Sequence, residues 1–133
     1  MKIRWLVALI FLTTALTACR AGPTPTLEPL ATVPTEFAGQ TNPYGIESAQ
    51  PGADIYKTYC ESCHGESGLG DGIAGGSLVP PPKNLVELQS TVADDYLFWR
   101  IHNGKTGTAM VAWKGILTDE QIWQVVSFIR TLK

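Results

Sequence analysis

The segment Cys60-Glu61-Ser62-Cys63-His64 constrains this chain more than any other stretch of its sequence. Two thiols about one helical turn apart, followed directly by a histidine, form the attachment signature of a c-type haem. The spacing suits this chemistry because Cys60 and Cys63 can each bond one vinyl group of a single porphyrin, and His64 then lies under the iron. The motif therefore predicts one covalently held haem c with its iron, and His64 as an iron ligand.

Pairs of the form Cys-x-x-Cys also occur in zinc sites and in thioredoxin-like redox sites. A zinc site needs four ligands, and beyond the motif the chain offers only Cys19 and His102, without a second Cys or His pair at ligand spacing. A thioredoxin-like site would lie in a βαβ pattern, which the surrounding sequence lacks. The haem interpretation is therefore favoured over both alternatives.

Length and charge narrow the class of protein further. The 133 residues are enough for one small domain with additional segments, and the formal net charge of -2 gives no basic patch for binding nucleic acid. Two of the three cysteines belong to the motif, so a disulfide framework within the chain is excluded. We predict no nucleic-acid partner.

The N-terminus has the pattern of an export signal. Lys2 and Arg4 precede an apolar run, and the 14 residues between Arg4 and Cys19 are fewer than the roughly 20 needed to span a bilayer. The run ends in Leu16-Thr17-Ala18-Cys19, which resembles the lipobox of bacterial lipoproteins. We predict a signal peptide at residues 1–18 and lipid attachment at Cys19, with a free thiol as the alternative.

Residues 19–50 are rich in proline and threonine and show no helical or alternating apolar period. This composition predicts a flexible tether between the lipidated cysteine and a folded domain at residues 51–133. The alternative is an ordered segment in which Phe37, Tyr44 and Ile46 dock on a partner.

The first half of the domain is predicted to build the surroundings of the motif. Residues 53–59 form a short helix that delivers Cys60, and a glycine-rich loop follows His64, where missing side chains let the backbone approach a bulky flat group. The run Pro80-Pro81-Pro82 leaves its carbonyls free. We predict that one of them, with Pro81 as the assigned site residue, accepts the ring N–H of His64 and fixes its tautomer. A rigid surface turn is the alternative.

The second half of the domain contains Met110, the only methionine besides the initiator. A thioether is a soft, neutral ligand, and Met/His ligation raises the potential of cytochromes c. We therefore predict Met110 as the sixth iron ligand, with an ordinary core methionine as the alternative. A Thr-x-x-Asp pattern at Thr91 predicts the start of the helix before this loop, and His102 near its end is assigned to the surface.

The C-terminal helix is the clearest structural prediction. Thr118-Asp119-Glu120-Gln121 has the pattern of a capping box. Four apolar residues follow at the offsets of one helix face, namely Ile122, Val125, Val126 and Ile129. Trp123 and Phe128 lie off this stripe, and we expect them either to pack on the first helix or to contact a partner.

Residues 51–133 resemble a class I cytochrome c. The resemblance rests on the order of the motif, Gly70-Asp71-Gly72, the proline run, Gly107-Thr108-Ala109-Met110 and the amphipathic last helix. It implies an all-α fold of three to five short helices wrapped around one covalent haem, with the first and last helices crossing near it. It also implies that Trp113 lies near a haem propionate, and that the haem is attached outside the cytoplasm.

The expected function is one-electron transport rather than enzymatic catalysis, with the protein alternatively forming a subunit of an oxidoreductase complex. The expected partners are respiratory or photosynthetic membrane complexes, such as a quinol-oxidising complex, a haem-copper oxidase or a reaction centre. The expected location is the periplasmic or extracytoplasmic face of a bacterial membrane, with lipid on Cys19 as the anchor. A gas-binding or redox-sensing module with a labile sixth ligand is the alternative, and its support is Val111, which stands where many relatives have proline after the ligand methionine.

Overall fold

A computed structural model describes residues 29–133, and within them the fold is entirely helical. The helices are α1 (Ala49–Tyr59), α2 (Glu61–His64), α3 (Leu85–Gln89), α4 (Asp94–Asn103) and α5 (Asp119–Ile129), with 3-10 turns at Ile46–Ser48 and Gly75–Ser77. No strand occurs in residues 29–133, which confirms the predicted small all-α fold. None of the helices in this range has the length and apolar character needed to cross a membrane. The predicted signal peptide and Cys19 lie outside the described residues.

Helices α1 and α5 cross at Gly52, which is buried. A Cβ atom built on Gly52 would lie 1.9 Å from the backbone oxygen of Gln124, so the two helices meet backbone to backbone. One turn further along α1, the rings of Tyr56 and Phe128 pack with centroids 4.9 Å apart. The crossing of the first and last helices that the resemblance implies is therefore present.

Helix α5 supplies much of the core, as its sequence predicts. The capping box is confirmed, because the Thr118 hydroxyl accepts from the backbone N–H of Gln121 while the Gln121 side chain accepts from that of Thr118. The four residues of the predicted stripe are all at most 3% exposed. Off the stripe, Trp123 stacks on Phe98 of α4 at 4.2 Å, so both large aromatic residues of α5 pack within the fold.

The start of α4 differs from the prediction. Ala93 caps this helix without a side-chain hydrogen bond, and the hydroxyl of Thr91 instead donates to the carbonyl of Leu88 at the end of α3. The predicted cap at Thr91 is therefore wrong, because this residue still belongs to the turn that closes the preceding helix. Asp94 forms an ion pair with Arg130 at 2.8 Å, which ties the first turn of α4 to the end of α5.

Residues 31–48, called here the N-terminal strap, belong to the compact unit that spans Ala31–Lys133. The Phe37 ring packs against Phe98 and against His102, which is half-buried rather than at the surface as predicted. The Asn42 amide donates to the backbone oxygen of Trp123 at 3.0 Å and to the Ser127 hydroxyl at 2.8 Å. The folded unit thus begins at Ala31, 20 residues before the predicted boundary at residue 51, because these contacts hold part of the predicted tether on the helices.

Candidate functional site

The attachment motif consists of Cys60, directly after α1, and the single turn of helix α2. Cys60 ends α1 by donating its N–H to the Tyr56 carbonyl at 2.8 Å, and the His64 N–H donates to the Cys60 carbonyl at 2.9 Å. Neither motif cysteine is in a disulfide, and both are half-buried. Burial raises the pKa of the Cys60 thiol to about 12, and electrostatic repulsion from the neighbouring Cys63 makes a smaller contribution in the same direction. Among residues 29–133 no cluster of three or more His, Cys, Asp or Glu side chains is arranged to hold a metal.

The ring of His64 is oriented by a backbone carbonyl. Its Nδ1 lies 3.4 Å from the Lys83 oxygen, and a proton on Nδ1 donated to that oxygen leaves Nε2 with a free lone pair. Burial lowers the pKa of His64, while the bond to the Lys83 backbone acts in the opposite direction. A neutral imidazole with an available Nε2 has the donor chemistry of an axial haem ligand.

The predicted acceptor for His64 was a carbonyl of the proline run, and the structure places that acceptor one residue beyond the run. Pro81 is exposed, and the carbonyl of Pro82 faces Gly70, on which a Cβ atom would lie 2.6 Å from that oxygen. The Pro82 oxygen is thus directed to the glycine loop and the Lys83 oxygen to His64, which corrects the role assigned to Pro81.

The glycine-rich loop after His64 approaches the protein's own backbone. Cβ atoms on Gly72 and Gly75 would lie 2.5 Å from the carbonyl oxygens of Ser62 and Cys63 respectively. The Ala74 N–H donates to the Ser62 carbonyl at 2.8 Å. The sequence prediction assigned this close approach to a flat bound group, whereas at these two glycines the neighbour is helix α2. Their missing side chains let the loop satisfy carbonyls of the motif helix.

Sequence reasoning missed the hydroxyl of Tyr56. This side chain is 1% exposed, and its OH donates to the carbonyl of Gly65 at 2.7 Å, directly after His64. Burial, with smaller contributions from neighbouring acidic groups, raises the pKa of Tyr56 well above its usual value. A tyrosine on the buried face of a helix is itself a signal, since its hydroxyl needs a partner there.

Met110 lies in the loop that follows α4, called here the methionine loop (residues 104–110). Its side chain is half-buried and packs against the hydrophobic core. The Met110 carbonyl accepts from the Lys105 N–H at 2.9 Å. The Thr108 hydroxyl accepts from the Met110 N–H at 3.2 Å and donates to the Lys105 carbonyl at 2.7 Å. These bonds close the loop and fix the backbone of Met110.

Trp113, the other site residue expected from the resemblance, lies just beyond this loop. It is half-buried, and its ring meets that of Tyr59 edge to face at 5.2 Å. The backbone N–H of Trp113 donates to the Ile101 carbonyl of α4 at 3.2 Å. Its assignment to a haem propionate stays a prediction.

The residues present fit a haem c. Two free thiols and an imidazole with an available nitrogen stand in one turn, as thioether formation and axial ligation require. The loops after α2 and α4 also expose large apolar side chains, for which a porphyrin supplies an apolar surface. These side chains are Leu69, Ile73, Val79, Val111 and Ile116, of which Ile73 and Val79 are 98% and 92% exposed.

Comparison with known proteins agrees with this donor set. Residues 47–129 match the family model described as cytochrome c oxidase, cbb3-type, subunit III. The chain is 30% identical over 82 residues to cytochrome c6 of Synechococcus elongatus, covering 59% of this chain and 83% of that protein. A match of the same identity to cytochrome c6 of Thermosynechococcus vestitus covers 59% of this chain and 64% of the relative.

A solved structure shares the fold. A chain of the reducing HAO-like protein complex of Kuenenia stuttgartiensis superposes with a TM-score of 0.56 at 19% sequence identity. The match covers 85% of this chain and 52% of the other, so the present chain spans about half of that neighbour. From the family match, the relatives and the donor set together, the chain belongs to the cytochrome c family and is a monohaem class I cytochrome c that carries a covalently bound haem c with its iron.

Proposed function

We propose that this haem-based electron carrier uses a single haem c attached through Cys60 and Cys63 and ligated by His64 and Met110. The haem supplies an iron that alternates between the ferrous and ferric states and so carries one electron. The observation that carries the proposal is the closed Cys-x-x-Cys-His turn, in which the Lys83 carbonyl engages Nδ1 of His64. That contact presents Nε2 as the ligand atom.

The surrounding residues act by holding the ligand-bearing backbone still. Tyr56 ties α1 to the residue after His64, and Thr108 closes the loop that carries Met110. A carrier needs this rigidity because both axial ligands have to stay in place in both oxidation states. His64 and Met110 would together hold the iron and would keep small molecules from binding it.

The test of ligation is the absorption spectrum of the purified holoprotein, oxidised and reduced, with carbon monoxide added to the reduced form. We expect a low-spin c-type spectrum with the weak far-red sulfur-to-iron band and no response to the gas. Met110→Ala is expected to remove the band, admit carbon monoxide and lower the reduction potential. Thr106→Ala is the matched control, since Thr106 is an exposed residue of the same loop.

Two outcomes would overturn this assignment. If Met110→Ala has the spectrum and potential of the unmodified protein, Met110 is not a ligand. If the unmodified protein binds carbon monoxide readily at neutral pH, the iron has an open position and the carrier assignment fails in favour of a gas-binding module.

We further propose that the carrier works outside the cytoplasm, held to a bacterial membrane by lipid on Cys19 after removal of residues 1–18. The charged and apolar pattern of the N-terminus and the lipobox-like tetrapeptide support this. Only residues 20–30 would separate Cys19 from the compact unit, and 11 residues reach about 40 Å at most. Such a short reach favours redox partners close to the membrane surface.

The proposed partners are membrane redox complexes, namely a quinol-oxidising complex, a haem-copper oxidase or a reaction centre, with this chain passing electrons between them or serving as a subunit of one. The description of the matching family, which names a subunit of cytochrome c oxidase, supports this class of partner. Cys19→Ser is expected to move the protein from the membrane fraction to the soluble fraction. Retention of the variant in membranes after washes that disrupt complexes would refute the lipid anchor.

A further inference from the structure

Arg100 lies in the last turn of α4, where its guanidinium group is held in one orientation. Its central carbon is 4.2 Å from the ring centroid of Trp99 and 5.4 Å from that of Tyr96. Nη2 lies 3.5 Å from the Tyr96 hydroxyl, and Nη1 donates to the Gly104 carbonyl at 3.2 Å. A planar guanidinium stacked on aromatic rings loses little freedom when it forms such a bond, which an ammonium on a flexible stem does not reproduce.

The carbonyl to which Arg100 donates belongs to Gly104, and the backbone of the methionine loop packs against this glycine. Gly104 ends α4 with φ of 67°, and a Cβ atom there would lie 2.5 Å from the Met110 oxygen and 2.6 Å from the carbonyl carbon of Val111. The next N–H, that of Lys105, donates to the Met110 carbonyl. A shift of Gly104 is therefore transmitted directly to the backbone of Met110.

The far side of the loop is held differently. The N–H groups of Trp113 and Lys114 donate to the carbonyls of Ile101 and His102 at 3.2 and 3.1 Å. These backbone bonds fix the chain after Met110. On the side before Met110, Arg100 is the side chain that bonds the Gly104 carbonyl, and its positive charge is favoured by the C-terminal end of the helix dipole.

We propose that Arg100 is a positioning residue for the sixth ligand: by holding the Gly104 carbonyl it keeps the methionine loop closed and Met110 on the iron. This inference rests on the proposed ligation by Met110. It concerns how firmly the ligand is held, and it assigns to Arg100 no contact with the haem.

The test measures how readily an external ligand displaces Met110. Imidazole is titrated into the oxidised holoprotein of the unmodified chain, of Arg100→Lys and of Arg100→Leu, and loss of the far-red band is followed. Arg100→Lys keeps the positive charge but removes the planar guanidinium group that stacks on Trp99 and Tyr96. We expect both variants to bind imidazole about tenfold more tightly, because the loss of one hydrogen bond from a charged donor changes a binding constant by about this factor. We also expect the far-red band of both variants to be weaker.

Arg130→Lys is the matched control for loss of general stability. Like Arg100, Arg130 stands at the C-terminal end of a helix and has a partner, but its helix is α5 and its partner is Asp94, in an ion pair at 2.8 Å. We expect this variant to unfold more easily while its imidazole affinity stays that of the unmodified protein. If Arg130→Lys tightens imidazole binding as much as Arg100→Lys does, the effect is one of general stability and the inference is overturned.

Met110→Ala separates failure of the inference from failure of the proposed function. If Met110→Ala removes the far-red band while both Arg100 variants match the unmodified protein in band and imidazole affinity, Arg100 does not position the ligand, and ligation by Met110 stands. If Met110→Ala leaves the band in place, the ligation itself fails and the inference fails with it.

Discussion

Replacing Gly52 with alanine is expected to destabilise the protein, although alanine is favoured over glycine inside a helix by about 1 kcal/mol. The new methyl group would lie 1.9 Å from the backbone oxygen of Gln124 and 2.5 Å from its carbonyl carbon. Both distances are well below 3.0 Å, the shortest separation that Cβ atoms normally have from other heavy atoms. These are backbone atoms of α5, so no flexible side chain can move aside and the helices have to separate by about 1 Å. Overpacking of this kind costs about 1–3 kcal/mol, and the upper part of that range applies here.

The net loss after the gain in helix propensity is about 2 kcal/mol, which corresponds to a fall in Tm of about 8–16 °C for a domain of this size. The assay is thermal unfolding of the holoprotein followed by far-ultraviolet circular dichroism. Gly76→Ala is the matched control, since no atom lies within 4 Å of a Cβ built there. It should leave stability unchanged or raise it by up to about 1 kcal/mol. A Tm for Gly52→Ala equal to or above that of the unmodified protein would refute the backbone-to-backbone crossing.

Three further substitutions, one of them with a matched control, test other contacts of the fold by the same unfolding measurement. Tyr56→Phe removes one of the two donors to the carbonyl of Gly65, which keeps the N–H of Gly68 at 3.1 Å, and should cost about 1 kcal/mol; an unchanged Tm would mean that the hydroxyl bond adds no net stability. Phe37→Ala should cost about 2 kcal/mol by removing the strap's half-buried ring, whereas Ile46→Ala, at a side chain 61% exposed, should cost under about 0.5 kcal/mol. Equal effects of these two would argue against a docked strap. Thr118→Ala removes the capping box of α5 and should cost about 1 kcal/mol. An unchanged Tm would show that the cap does not contribute to the stability of the protein.

Local patterns account for the parts of the fold that were predicted well. The capping box at Thr118 and the apolar stripe of α5 depend on residues within a few positions of one another, and both are confirmed. The cap predicted at Thr91 failed for a related reason. A Thr-x-x-Asp pattern cannot reveal that the preceding helix ends with a turn in which the threonine hydroxyl bonds Leu88.

For His64, the sequence predicts the type of hydrogen-bond acceptor, a backbone carbonyl, and the structure corrects which residue supplies it. The sequence indicates that a carbonyl near the proline run accepts from the ring, but the choice between Pro81 and Lys83 depends on which way each carbonyl points, and that follows from the packing of Pro82 on Gly70. Arg100 carried no sequence signal. Its importance comes from the bond to Gly104, whose backbone is packed against Met110.

The sequence by itself determined the covalent chemistry of this protein: two thiols and a histidine at fixed spacing specify a haem c wherever the chain folds them into one turn. Only the tertiary structure decided what orients that histidine, why Gly72 and Gly75 lack side chains, and that residues 31–48 belong to the folded unit. The reason is physical, because reactive groups and helix caps act over a few residues. A strap rich in proline and threonine has no periodicity of its own, and it becomes ordered through contacts such as Phe37 on Phe98 and Asn42 on Ser127, more than 60 residues away along the chain.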